Sequence, residues 1–115
     1  MHSPESSPGE ALRAQRAALS AQAAALRADL AGIVAATAGA NSDDEHDPEG
    51  ATIAFERAQT ASLLERTESR LAALDGALGR LAAGGYGDCA RCGRPIGAER
   101  LAARPDATTC IYCAR

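Results

Sequence analysis

The chain has no lysine and no tryptophan, and only one phenylalanine and two tyrosines among its 115 residues. With 29 alanines beside so few aromatics, a thick globular core is excluded, because alanine removes little apolar area from water. Val- and Ile-rich strands are also lacking, which excludes an ordinary α/β enzyme domain. There is no basic excess: 12 arginines face 15 carboxylates, for a net charge of −3. Phosphate neutralisation supplies most nucleic-acid affinity, so sequence-specific DNA binding is not expected. No pairing of a nucleophile with a base is visible, and the chain is not read as an enzyme. Nor is there a targeting segment, since residues 1–10 (MHSPESSPGE) are polar throughout. The apolar run from Ala17 to Ala40 is interrupted by Arg27 and Asp29, which makes it a poor membrane span. A cytoplasmic protein is expected.

What is present is the composition of long helices: Ala, Leu, Arg and Glu. The all-arginine basic set and the alanine excess read together as a GC-rich coding bias. After a disordered tail at 1–6, Ser7-Pro8-Gly9-Glu10 reads as a helix start. Ser7 is the N-cap, Pro8 the first position, and Glu10 completes a capping box. Leu12, Leu19, Leu26 and Ile33 then recur every seven residues, with Ala23 and Leu30 beside them. Gly39 is the stop. Residues 40–50 (ANSDDEHDPEG) form an acidic break, after which Asp47 caps and Pro48 opens a second helix. Its seam is Leu64, Leu71 and Leu78, with Leu74 and Leu81, and Gly84-Gly85 ends it. The expected fold is all-α: a long antiparallel coiled-coil hairpin over 7–84, then a small four-cysteine module over 85–115.

Cys89-x-x-Cys92 and Cys110-x-x-Cys113 are separated by 17 residues. Two such knuckles offer the four thiolates that tetrahedral zinc takes in closed, structural sites. One structural Zn²⁺ is expected, and it would supply the folding energy that so short a segment cannot gain from a core. The competing reading, two redox C-x-x-C motifs, lacks the βαβ context it needs.

The stretch between the knuckles carries Gly93, Pro95-Ile96, Arg100-Leu101 and Ala103-x-Pro105, and it closes on Cys110-Ile111-x-Cys113, with Tyr86-Gly87 just ahead. On these residues the chain closely resembles the DksA/TraR C4-type zinc-finger family of bacterial transcription regulators. Ala90 departs from the Asp, Glu or Ser usual after the first cysteine, with no effect expected on the metal. The helix that follows the finger in longer members has no counterpart after Cys113.

The resemblance implies a regulator that binds RNA polymerase and inserts its coiled coil into the secondary channel, so that tip acids approach the catalytic centre. It also brings ppGpp into view as an effector, with no residue of this chain assignable to it. The family tip has the form Asp-Pro-x-Asp-x-Ala. Asp47-Pro48 matches its start, Gly50 stands at the second acidic position, and Asp44 and Asp47 keep the three-residue spacing one step upstream. The tip set is therefore Asp43, Asp44, Glu45, Asp47 and Glu49. Such a density of like charge serves no core and suits a basic groove or a site containing divalent metal. The plain alternative is a solvated loop in which Asp47 only caps. His46 reads as a loop residue, with no second histidine near it.

Two other functions compete. The knuckle spacing is also that of GATA-type DNA-binding fingers, but these need a reading helix and a basic tail, and only Ala114 and Arg115 follow Cys113. A coiled-coil scaffold is the other. Arg16, Arg57, Thr60 and Thr67, on or near the seams, argue against a long intermolecular zipper, and a monomer is expected.

Overall fold

The computed structural model describes residues 7–38 and 48–114. It contains three helices: α1 (Pro8–Ala38), α2 (Pro48–Ala83) and α3 (Ala98–Ala103). No strand occurs among the described residues; an isolated antiparallel bridge joins Asp88 to Pro95. The fold is all-α, as composition and heptad spacing led us to expect. The tail at 1–6, the Gly39 stop and the Asp47 cap fall outside the described residues.

Helix α1 starts as its capping residues dictate. The Glu10 amide donates to Ser7 Oγ at 3.2 Å, and the Ser7 amide donates to Glu10 Oε1 at 3.2 Å. The capping box thus satisfies two otherwise orphaned amides reciprocally. Helix α2 opens on Pro48 and ends in a Schellman turn. There Gly84 takes a left-handed φ of 91°, while the Gly85 amide donates to the Arg80 carbonyl and the Gly84 amide to that of Leu81. Gly76 and Gly79 interrupt neither the helix nor its register.

The chain divides into two compact units, one of Met1–Ala18 with Arg70–Arg115 and one of Leu19–Ser69. In the first, the opening of α1 runs antiparallel to the close of α2. Gly9 lies against Leu81, so close that a Cβ there would stand 3.2 Å from Leu81 Cδ2. Two turns on, Arg16 forms a two-pronged ion pair with Asp75, and the Arg16 guanidinium holds the Asp75 carboxyl below the usual carboxylate range. In the same unit Leu12, Leu74 and Ala77 are fully buried. In the second unit the helices are again antiparallel. Arg27 pairs with Glu68 at 2.8 Å, Ala23 and Thr67 are buried, and Leu26, Leu30, Ile33, Ile53 and Leu64 are half-buried.

Thr67 is the polar member of this seam. Its hydroxyl donates to the Leu63 carbonyl of its own helix at 2.8 Å, which lets a threonine be buried without a partner across the interface. By length and composition α1 is apolar enough to cross a membrane, its best 18-residue window reaching a mean hydropathy of 1.2. The apolarity comes largely from alanine, and Arg27 in the middle of the helix is engaged by Glu68.

Candidate metal centre

The four cysteines converge from two turns. After α2, Gly87 and Gly93 take left-handed φ values of 93° and 77°, positions that favour glycine. They fold residues 87–96 back on themselves. The Cys89 amide donates to the Arg94 carbonyl at 2.8 Å, the Gly93 amide to that of Cys89 at 2.9 Å, and the Ile96 amide to that of Gly87 at 2.7 Å. The second knuckle is built alike, the amides of Cys113 and Ala114 both donating to the Cys110 carbonyl. One backbone bond ties the knuckles together, from the Ala90 amide to the Thr108 carbonyl at 2.8 Å. Ala90 itself is exposed.

The four sulfurs lie within 4.8 Å of one another, and none is in a disulfide. Sulfurs about 2.3 Å from a central zinc stand roughly 3.8 Å apart along a tetrahedral edge. Cys92 Sγ and Cys110 Sγ are 3.8 Å apart. The donor set and its dimensions fit one zinc with no open position, and the cofactor is one structural Zn²⁺.

The surroundings prepare thiolates. Amides of Cys110, Cys92 and Arg91 turned toward Cys89 hold its thiol down at about 6. Burial pushes the Cys110 thiol up, but the amides of Cys113 and Tyr112 more than offset this and its pKa is lowered. The same crowding pushes Cys113 up to about 12, chiefly through Cys110 and Cys89. Four thiols this close cannot all ionise alone; a dication replaces the protons that repulsion would retain.

The rest of the motif packs this centre. Cys89, Ile96, Ala107 and Cys110 form a small buried cluster, with Leu101 and Cys113 against it. Leu101 is carried there by α3, a six-residue helix that sequence periodicity does not reveal. Arg100 donates from Nε to the Thr109 carbonyl at 2.8 Å, fixing the segment that leads into Cys110. Tyr86 donates its hydroxyl to the carbonyl of buried Pro105 at 2.8 Å. The Pro-Ile, Arg-Leu and Ala-x-Pro signatures are therefore the frame of the metal centre, a role their spacing alone did not disclose.

Tyr86→Phe should cost the zinc-loaded protein about 1 kcal/mol, since Pro105 loses its donor. Burial raises the Tyr86 pKa above the ordinary 10, with Arg80 opposing and Asp106 reinforcing. The folded state thus favours the neutral phenol. Its contribution is complete below the ordinary tyrosine pKa and fades as pH rises through the higher folded value. Thermal melts of both proteins across the alkaline range should converge; an unchanged gap would refute this.

Of the acidic tip residues, Asp43, Asp44, Glu45 and Asp47 lie outside the described residues, and Glu49 lies in the first turn of α2.

Residues 84–115 match the prokaryotic dksA/traR C4-type zinc finger. Among solved structures, the transcription factor DksA2 from Pseudomonas aeruginosa is similar over 91% of this chain and 75% of that one, with 33% identity and a TM-score of 0.76. No curated protein matches the chain. The structural match takes in the helices as well as the finger: this chain belongs to the DksA/TraR family of zinc-finger transcription regulators.

Proposed function

We propose that this protein is a cytoplasmic, monomeric regulator that binds RNA polymerase, inserts the acidic end of its hairpin into the secondary channel, and acts on initiation there. The observation that carries this reading is the similarity to the transcription factor DksA2, which extends through both long helices. Cys89, Cys92, Cys110 and Cys113 are the zinc ligands in this reading, and the module they build at 85–115 forms the base of the hairpin. Asp43, Asp44, Glu45, Asp47 and Glu49 are the effector group. Carboxylates close to Mg²⁺ or to basic channel residues act by charge in a poorly screened space. The ppGpp site is left unassigned.

Binding and effect should separate. The variant Asp44→Asn, Asp47→Asn, Glu49→Gln removes three charges and keeps side-chain size, and Asn still caps a helix. It should bind purified polymerase within about twofold of the native protein, because few contacts are lost, yet no longer change promoter-complex lifetime or initiation rate. A triple variant as effective as the native protein would reduce the cluster to a solvated loop.

A further inference from the structure

A groove of about 510 Å³ lies between α1 and α2, wholly within the unit Leu19–Ser69. It opens because α1 offers only small side chains along one edge. Ala28, Gly32 and Ala36 succeed one another every four residues, on one face of the helix. A Cβ built on Gly32 would meet nothing within 4 Å. Ile33 and Ile53, both half-buried, supply the larger apolar lining, and half-buried Thr60 adds a hydroxyl.

Each helix adds one exposed carboxylate to the lining, Asp29 from α1 and Glu56 from α2. Neither is in an ion pair among the described residues, and Arg27, close to Asp29 in sequence, is held by Glu68 instead. No arginine lines the groove. A second groove, of about 320 Å³, shares Ile53 but is lined by Arg57 and by no carboxylate among the described residues, so the negative charge is particular to the first. This lining selects its occupant. Two carboxylates repel phosphate, whether of a nucleic acid or of a lipid headgroup. A divalent cation takes about six or more oxygens, and two exposed carboxylates with one hydroxyl leave it mostly hydrated. A basic side chain matches both parts: its methylene stem covers the isoleucines while its cationic head meets the carboxylates.

We propose that this groove receives an arginine or lysine side chain of a partner protein, its head held by Asp29 and Glu56 and its stem laid against Ile33 and Ile53. This rests on the polymerase reading given above, in which the partner is RNA polymerase. Both carboxylates stand on helices, so they are presented at low entropic cost. The contact serves affinity, and none of the five acids assigned to the effect on initiation takes part in it.

The test uses the full zinc-loaded chain. Every substitution falls at an exposed helix position, so helix content and zinc should stay native. Against purified polymerase, Glu56→Gln should bind about tenfold more weakly than the native protein, and Asp29→Asn with Glu56→Gln about 30-fold. Gly32→Leu keeps both charges but fills the groove, and it should also bind about tenfold more weakly. Glu65→Gln removes an exposed charge of α2 outside the groove and should stay within about twofold. Native-strength binding by the double variant would overturn the inference and leave the polymerase reading standing. Equal losses in Glu56→Gln and Glu65→Gln would do the same, since they belong to a general charge effect, and so would native binding by Gly32→Leu, which leaves the groove without an occupant. Failure of the native protein to bind polymerase would overturn both. A native dimer in sedimentation that the double variant dissolves, with polymerase binding unchanged, would assign the groove to a second copy of the chain and also overturn it.

Discussion

Replacing Cys110 by serine should release the zinc and melt residues 86–114, while most of the helical signal remains. Cys110 is buried within both the sulfur cluster and the small apolar cluster, so its loss removes a ligand and disturbs the packing at once. Structural zinc in modules of this size supplies on the order of 10 kcal/mol at neutral pH, more than so small an apolar cluster can replace. The helical signal survives because α3 contributes six residues against 31 in α1 and 36 in α2. Zinc content by atomic emission should fall from one per chain to a small fraction, and amide signals from 86–114 should collapse toward random-coil positions. A chelator acting on the native protein should reproduce this reversibly, and acid should do the same as protons compete for the thiolates. A serine variant with full zinc and an ordered module would refute the assignment of ligands.

Leu74→Ala should be the most damaging substitution in the helices. Leu74 and Leu12 are the two largest fully buried side chains, and they lie in one unit among alanines that cannot move in to fill a gap. Truncating a buried leucine costs about 2–5 kcal/mol, and poor collapse puts this site in the upper half of that range. Domains are stable by only about 5–15 kcal/mol, so the variant should melt roughly 10 °C or more below the native protein with zinc in excess. Leu12→Ala should behave similarly, since Leu12 is as fully buried as Leu74. A loss under 0.5 kcal/mol for Leu74→Ala, the scale of a surface change, would show that the seam does not hold the helices together.

The features legible in the sequence are those with local causes. The capping box at Ser7 and Glu10, the proline start of α2 and the double-glycine stop are set by backbone chemistry within a few residues, and each stands where its residues place it. The heptad leucines were equally legible, because a period of seven leaves a helix little choice of face. The two C-x-x-C pairs declared the metal centre through donor chemistry alone. What could not be read depends on distant partners. The Arg16–Asp75 and Arg27–Glu68 pairs join residues far apart in sequence, and nothing in either segment names the other. Helix α3 is too short for periodicity and forms because Leu101 has a cluster to cover. Thr67 looked like a break in the seam, yet its hydroxyl bonds within its own helix and leaves only a methyl to pack. Phe55 falls outside the heptad rows, and its side chain stands largely exposed among the described residues.

The alanine content of α1 has a consequence for how such a helix can be long without a thick core. Thirteen of its 31 residues are alanine. Ordering an alanine side chain freezes no rotamers, whereas ordering a long side chain costs up to about 2 kcal/mol. A helix that buries little side-chain area therefore also gives up little side-chain freedom on folding, while each residue still loses the usual backbone freedom. The same residues make it slim. An ordinary helix with its side chains is roughly 10–12 Å across, and faces that end at a methyl group fall short of that width. Leucines or lysines on the outward faces would widen α1 and add rotamer freedom to be lost against any wall it met. Alanine there presents a narrow, already ordered surface, so close confinement by a partner would remove little further freedom.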